Sequence, residues 1–208
     1  MFEAFDSAYK PDVSALMPEP GGRGGVAPEL QLFLDRYGGL SFNNGIYRAL
    51  SAESAAQSTE YVVHAYPTYS GHIICFGIDW LGRIFALDAR RLEQGLPGVV
   101  MFEPGTGDCF TVPCNIVTFH NSELVQYGED VLAEPYYKTW LANGGQEPLI
   151  NQCVGYIIPL FLGGRDEVSN LELSDLDVYW HLLSQLIRQT RGLPAGTPVG
   201  PITLTDPD

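Results

Sequence analysis

Positive charge is scarce in this chain. Its 208 residues carry 11 Lys and Arg against 25 Asp and Glu, a formal net charge of −14. Nucleic acid and anionic membrane are disfavoured as partners, because phosphate would be repelled. Two readings of the acidity stay open: plain solubility, or steered encounter with a basic protein. Long hydrophobic runs are missing too. No apolar stretch reaches the roughly 18–20 residues a membrane span needs. The longest, Val154 to Leu162, is about a strand in length and carries Pro159. The opening MFEAFDSAYKPDV lacks the basic and apolar regions of a secretory signal. A cytoplasmic location is therefore expected.

Cysteine is sparse and poorly spaced for chemistry. Cys75, Cys109, Cys114 and Cys153 form no CxxC pair. Zinc would need a second ligand pair at finger-like spacing, so buried, reduced thiols are the reading and no metal or cofactor is expected. Catalytic motifs are also absent. Gly105-Thr106-Gly107 follows a strand, but lacks the further Gly-Lys-Ser/Thr of a phosphate loop. Ser70-Gly71-His72 is no nucleophile elbow. His64, His72, His120 and His181 form neither HxH nor HExxH. No catalytic residue is assigned, and the chain reads as a non-enzyme.

What is present is core-forming material: 45% hydrophobic and 12% aromatic residues, with 23 Gly and 15 Pro that favour turns and short elements. Residues 1–26 read as an N-terminal segment ending in the connector Gly21-Gly22-Arg23-Gly24-Gly25. Pro28 to Tyr37 is a helix: Leu30, Phe33, Leu34 and Tyr37 share one face, and Gly38-Gly39 closes it. Asn43-Asn44-Gly45 is a turn leading to a short strand, Ile46 to Leu50. His72–Asp79 and Arg83–Asp88 read as a hairpin about Trp80–Gly82. Val99–Glu103 and Cys109–Val112 are further strands. Two helices are expected within Asn115–Gly128, capped by Asn121 or Ser122, and within Tyr136–Ala142. Gly155 to Leu162 reads as a strand and Asn170 to Leu173 as a short extended piece. Ser174 to Arg191 is the longest helix, capped by Ser174. Strands grouped mid-chain between helices argue for an α+β fold, a mostly antiparallel twisted sheet flanked by helices. One domain is expected over 27–192, with room for a sub-boundary near 130–150, and a loose tail over 193–208.

Two features invite a binding role. Asp166, Glu167, Glu172, Asp175 and Asp177 gather around the start of the last helix. A metal-dependent site would use such carboxylates, but acids at a helix N-terminus and in a solvated loop account for them more simply. Trp80 sits at a hairpin tip. Exposed there it would anchor a partner; folded back it would join the core, the commoner fate.

The stretch CVGYIIPLFLGGRDEVSNLELSDLDVYWHLLSQLIRQ, Cys153 to Gln189, resembles the C-terminal domain of type VI secretion immunity proteins. The shared pattern runs through Cys153, Gly155, Tyr156, Leu162-Gly163-Gly164, Asn170-Leu171 and Gln185. FLDRYGGLSFNNGIYRAL and CFGIDWLGRIFALD are similar to the GAD-like region that precedes that domain, and to the wider SUKH superfamily. Residues 93–117 and the Gly-rich start depart from the pattern. The resemblance implies an immunity protein that binds a secreted toxin, often a basic nuclease, and blocks it by stoichiometric occlusion. The alternative is a regulatory or scaffold module of the same superfamily without a toxin. The candidate partner-binding residues are Trp80 as anchor and Asp166, Glu167, Glu172, Asp175 and Asp177 as an acidic rim.

Overall fold

The computed structural model describes residues 1–12, 27–193 and 197. The Gly21–Gly25 connector and nearly all of the C-terminal tail lie outside them. Six strands form one antiparallel meander in chain order: β1 (Ser41–Phe42), β2 (Tyr47–Ala49), β3 (Ile73–Asp79), β4 (Ile84–Glu93), β5 (Leu96–Glu103) and β6 (Asp108–Asn115). A separate two-stranded ribbon pairs β7 (Gln152–Tyr156) with β8 (Leu171–Asp175). The architecture is α+β, as the grouping of strands implies.

Both faces of the sheet are buried along most of β3, the first half of β4 and the middle of β5, which is why these strands read as apolar runs rather than alternating ones. Along β4, Phe85 and Leu87 face one core while Ile84 and Ala86 face the other; along β5, Val99 opposes Val100 and Phe102. Against the first face pack α1 (Glu3–Ala8), α2 (Pro28–Tyr37), and the run of α4 (Ile116–Thr118), a π-helical turn (Phe119–Glu123), α5 (Leu124–Val131) and α6 (Glu134–Ala142). Against the second pack α3 (Ala52–Ala65) and α7 (Leu176–Thr190). Phe2 and Phe5 of the N-terminal segment are fully buried in the first core, and Asn121 receives the backbone N–H groups of Ala4 and Phe5.

Several local expectations differ from what folds. The helix near residue 115 is capped by Asn115, whose side chain accepts from Val117 and Thr118 while the Thr118 hydroxyl accepts from the Asn115 N–H, a capping box. The last helix is capped by Asp175, not Ser174: Asp175 is the last residue of the ribbon, and its side chain accepts from the Asp177 and Val178 N–H groups. The strand expected over 155–162 instead spans 152–156; Pro159 then introduces a 3-10 turn, Leu160–Leu162. No helix among the described residues is long and apolar enough to cross a membrane.

Candidate functional site

The most developed surface feature is built by a loop, residues 147–151, held from beneath by a buried cation. Arg48 on β2 has no exposed surface. Its guanidinium donates to the carbonyls of Leu149, at 2.7 Å, and Gln152, and also to that of Asp79. Gln152 returns a turn bond to Leu149 O, the Leu149 N–H meets the Gln152 side-chain oxygen, and the Leu176 N–H donates to Asn151 O. The loop backbone is thus fixed although its side chains face solvent: Leu149 is 61% and Ile150 45% exposed.

Opposite this loop stands a turn of three successive left-handed residues, Asn43, Asn44 and Gly45. Asp12 braces it, accepting from Ser41 Oγ and from the N–H groups of Asn44 and Gly45. Gly45 lies so close to Pro148 that a Cβ there would sit 2.6 Å from the Pro148 carbonyl oxygen. Between turn and loop opens a cleft of about 710 Å³, to which Pro11, Pro148, Leu149 and Ile150 supply an apolar wall. A second groove of about 270 Å³ continues from it, sharing Gly39, Ile150 and Asn151, and is bounded by Glu53, Gln57 and Asp177. Glu53, Glu60, Glu147, Asp175 and Asp177 are all exposed on or beside this face. None of them is in an ion pair among the described residues, whereas Asp6, Asp79, Asp88, Glu93 and Glu134 each are. Burial, with the neighbouring Asp175, raises the Asp177 carboxyl above its usual value, against a hydrogen bond from Gln57.

The residues singled out from sequence are distributed unevenly. Trp80 is fully buried, and its indole N–H donates to Leu132 O at 2.8 Å. It packs on Tyr136 and Tyr137. The exposed-anchor expectation is corrected: the hairpin tip is enclosed by α6 on one side and by α7, whose Trp180 donates to Gly82 O, on the other. The five acids are all exposed but do not form one rim. Asp175 pairs with Gln152 at one end of the ribbon, beside the groove; Asp166 accepts from Tyr156 at the other end. Four residue steps separate those ends, roughly 13 Å. Among the described residues no group of three or more His, Cys, Asp or Glu is placed to hold a metal. His72 lies between Asp88 and the Thr68 carbonyl, with both ring nitrogens occupied.

Two other buried groups are perturbed without forming a site. Burial pushes the Glu103 carboxyl up to about 7, against the pull of Arg83. Burial pushes His120 down to about 3. His120 sits among Phe2, Phe5, Phe33, Phe76 and Phe119, its Nδ1 facing the Ile116 carbonyl and its Nε2 facing the Tyr47 hydroxyl. The carbonyl can only accept, so Nδ1 carries the proton and Nε2 accepts from Tyr47. His120 is closed to solvent, and the Glu103 side chain keeps only 13% of its surface exposed.

Residues 119–187 match the family model described as T6SS immunity protein Tdi1, C-terminal, where T6SS is the type VI secretion system. The matched segment is about a third of the chain and contains the 147–151 loop and all five acids of the expected rim. No curated protein matches the chain. Among solved structures the chain is similar to the crystal structure of Atu4351 from Agrobacterium tumefaciens, with a TM-score of 0.59 and 15% identity over 89% of each chain. At that identity the likeness concerns the fold alone. The family match covers the ribbon and the helices around it.

Proposed function

We propose that this protein is an immunity protein that binds a cognate type VI secretion toxin in the cytoplasm of the producing cell and neutralises it by stoichiometric occlusion. The observation that carries the reading is the Leu149–Ile150 loop: an exposed apolar pair on a fixed backbone, bordered by unpaired acids, inside the segment that matches the immunity family. Fixing a binding loop before association removes part of the ordering cost of the complex. The acidic rim suits a basic toxin, as nucleases commonly are, and would speed encounter while repelling nucleic acid from the covered site. The GAD-like and SUKH assignment of the N-terminal half belongs to the same proposal. The role asked of these residues is binding, with no chemical step.

The test is co-expression with the toxin encoded beside this gene. Growth should be rescued, and the purified pair should form a 1:1 complex burying on the order of 1,200–2,000 Å². Failure of the pair to associate, together with recovery of a housekeeping complex from the native host, would replace this reading with that of a regulatory module.

A further inference from the structure

We propose that the groove between the Asn43–Gly45 turn and the 147–151 loop receives a cationic segment of the partner tipped by an apolar side chain. This rests on the immunity reading above and deepens it by naming the chemistry of the bound segment. Leu149 and Ile150 form the anchor. Glu147, Glu53 and Asp177 read the positive charge around it.

Three observations carry the assignment. First, the two apolar side chains are exposed beside a cleft of about 710 Å³ with room for a further apolar group. Anchors of this kind, enclosed by a rim that excludes water, dominate binding energy in most interfaces. Second, the rim is mostly acidic. Glu147 lines the cleft, Glu53 and Asp177 line its continuation, and Lys10 is the one cationic side chain on either lining. Glu53, Gln57 and Glu60 recur along one face of α3, which extends the acidic border by a further turn. Third, the acids are unspent. Glu53, Glu147 and Asp177 accept no hydrogen bond from an Arg, Lys or His among the described residues, and the neutral Gln57 side chain beside Asp177 leaves its charge uncompensated, so a partner's cations would meet carboxylates without a counter-ion. The same carboxylates exclude the other occupants. A second copy would bring another −14 of net charge against this border, and an anionic membrane or nucleic acid would be repelled.

The test uses the full-length protein with two probes. The first is the blocked peptide acetyl-Arg-Leu-Arg-Leu-Arg-amide, followed by amide shifts in nitrogen-15 spectra. Shifts should cluster at Glu53, Glu147, Leu149, Ile150 and Asp177. They should fade as salt rises from about 50 to about 300 mM, and they should vanish for the analogue in which Gln replaces each Arg. Shifts at another face, no shifts, equal shifts with the Gln analogue, or a concentration-dependent dimer abolished by Leu149→Asp would each overturn the groove. The second probe is the neighbouring toxin, titrated against wild type, Leu149→Asp with Ile150→Asp, and Glu53→Lys with Glu147→Lys and Asp177→Lys. The apolar pair of substitutions should raise Kd by at least ~10-fold through faster dissociation, and the charge reversals should slow association by at least ~10-fold at low salt. Both sets lie on exposed side chains; the apolar set should leave the thermal melt unchanged, and the charge set, which puts Lys in the first turns of α3 and α7, should lower it slightly. Toxin binding that ignores every variant overturns the groove and leaves the immunity reading intact. A toxin that ignores wild type ends the immunity reading, and the peptide then decides the groove by itself.

Discussion

The guanidinium of Arg48, which has no exposed surface, donates to the carbonyl of Leu149, whose side chain is among the most exposed apolar groups described. A buried charge thus sets the backbone of a surface anchor. Charges are costly to bury, and this one is tolerated because three carbonyls receive it; its Nε is left without an acceptor. Replacing Arg48 by Met keeps the volume but strands the carbonyls of Leu149, Gln152 and Asp79. The expected loss is about 2–4 kcal/mol in urea unfolding. Amide exchange should accelerate first at residues 149–152, and uniform acceleration across the chain would show that Arg48 does not act on the loop.

Trp80 shows how the same fold hides a residue that looks like an anchor. Its ring packs on Tyr136 and Tyr137, and its N–H is used by Leu132 O. Trp80→Phe removes that hydrogen bond and part of the ring. Stability should fall by about 1–3 kcal/mol, while the toxin association rate stays unchanged. A slower association rate in a variant that melts like wild type would return Trp80 to the binding surface.

How much was legible follows from where the information sits. The helix over 28–37 and the hairpin of β3 and β4 announce themselves because their apolar residues are large and locally periodic. Helix α3 does not: its buried stripe is Ala55, Ser58, Val62 and Ala65, too small and too polar to register as a face. Its cap, Ser51, accepting from the Ser54 N–H, is the one local cue. The groove is less legible still, because Asp12, Asn43–Gly45 and Glu147–Asn151 are distant in sequence and are brought together by long-range hydrogen bonds and by the packing of Gly45 on Pro148. The burial of Trp80 depends on cover supplied by residues 136–137 and by α7, which no local pattern around residue 80 encodes.

Glu103 and His120 predict an unusual pH profile. The Glu103 carboxyl titrates near 7 when folded and near 4.5 when unfolded. The folded state holds its proton longer, so this contribution is fully present below about 4.5 and is lost as pH rises towards 7. It amounts to at most about 3 kcal/mol. His120 runs the other way. It titrates near 3 when folded and near 6.5 when unfolded, so its contribution is present above 6.5 and lost as pH falls towards 3. Between 4.5 and 6.5 the two slopes oppose. Wild type should show a shallow profile there by chemical denaturation. Glu103→Gln should unmask a stability that climbs with pH up to 6.5, and a profile unaltered by that substitution would show that Glu103 ionises normally.

Gly45 offers the most local test of the groove's construction. Its φ is +80°, a conformation that a side chain strains, and a methyl group there would meet the Pro148 carbonyl oxygen at 2.6 Å. That oxygen belongs to backbone already tied down through Leu149 and Asn151, so it cannot yield cheaply. Gly45→Ala should therefore cost about 1–3 kcal/mol and displace the 147–151 loop, weakening toxin binding beyond what the stability change explains. Gly95, at a φ of +84° with nothing within 4 Å of its added Cβ and in the lining of neither groove, is the control. Gly95→Ala brings the same backbone strain without the clash, so the 147–151 loop should stay in place and its toxin affinity should match wild type. If the two alanine variants bind equally well, the close approach of Gly45 to Pro148 is not what shapes the groove.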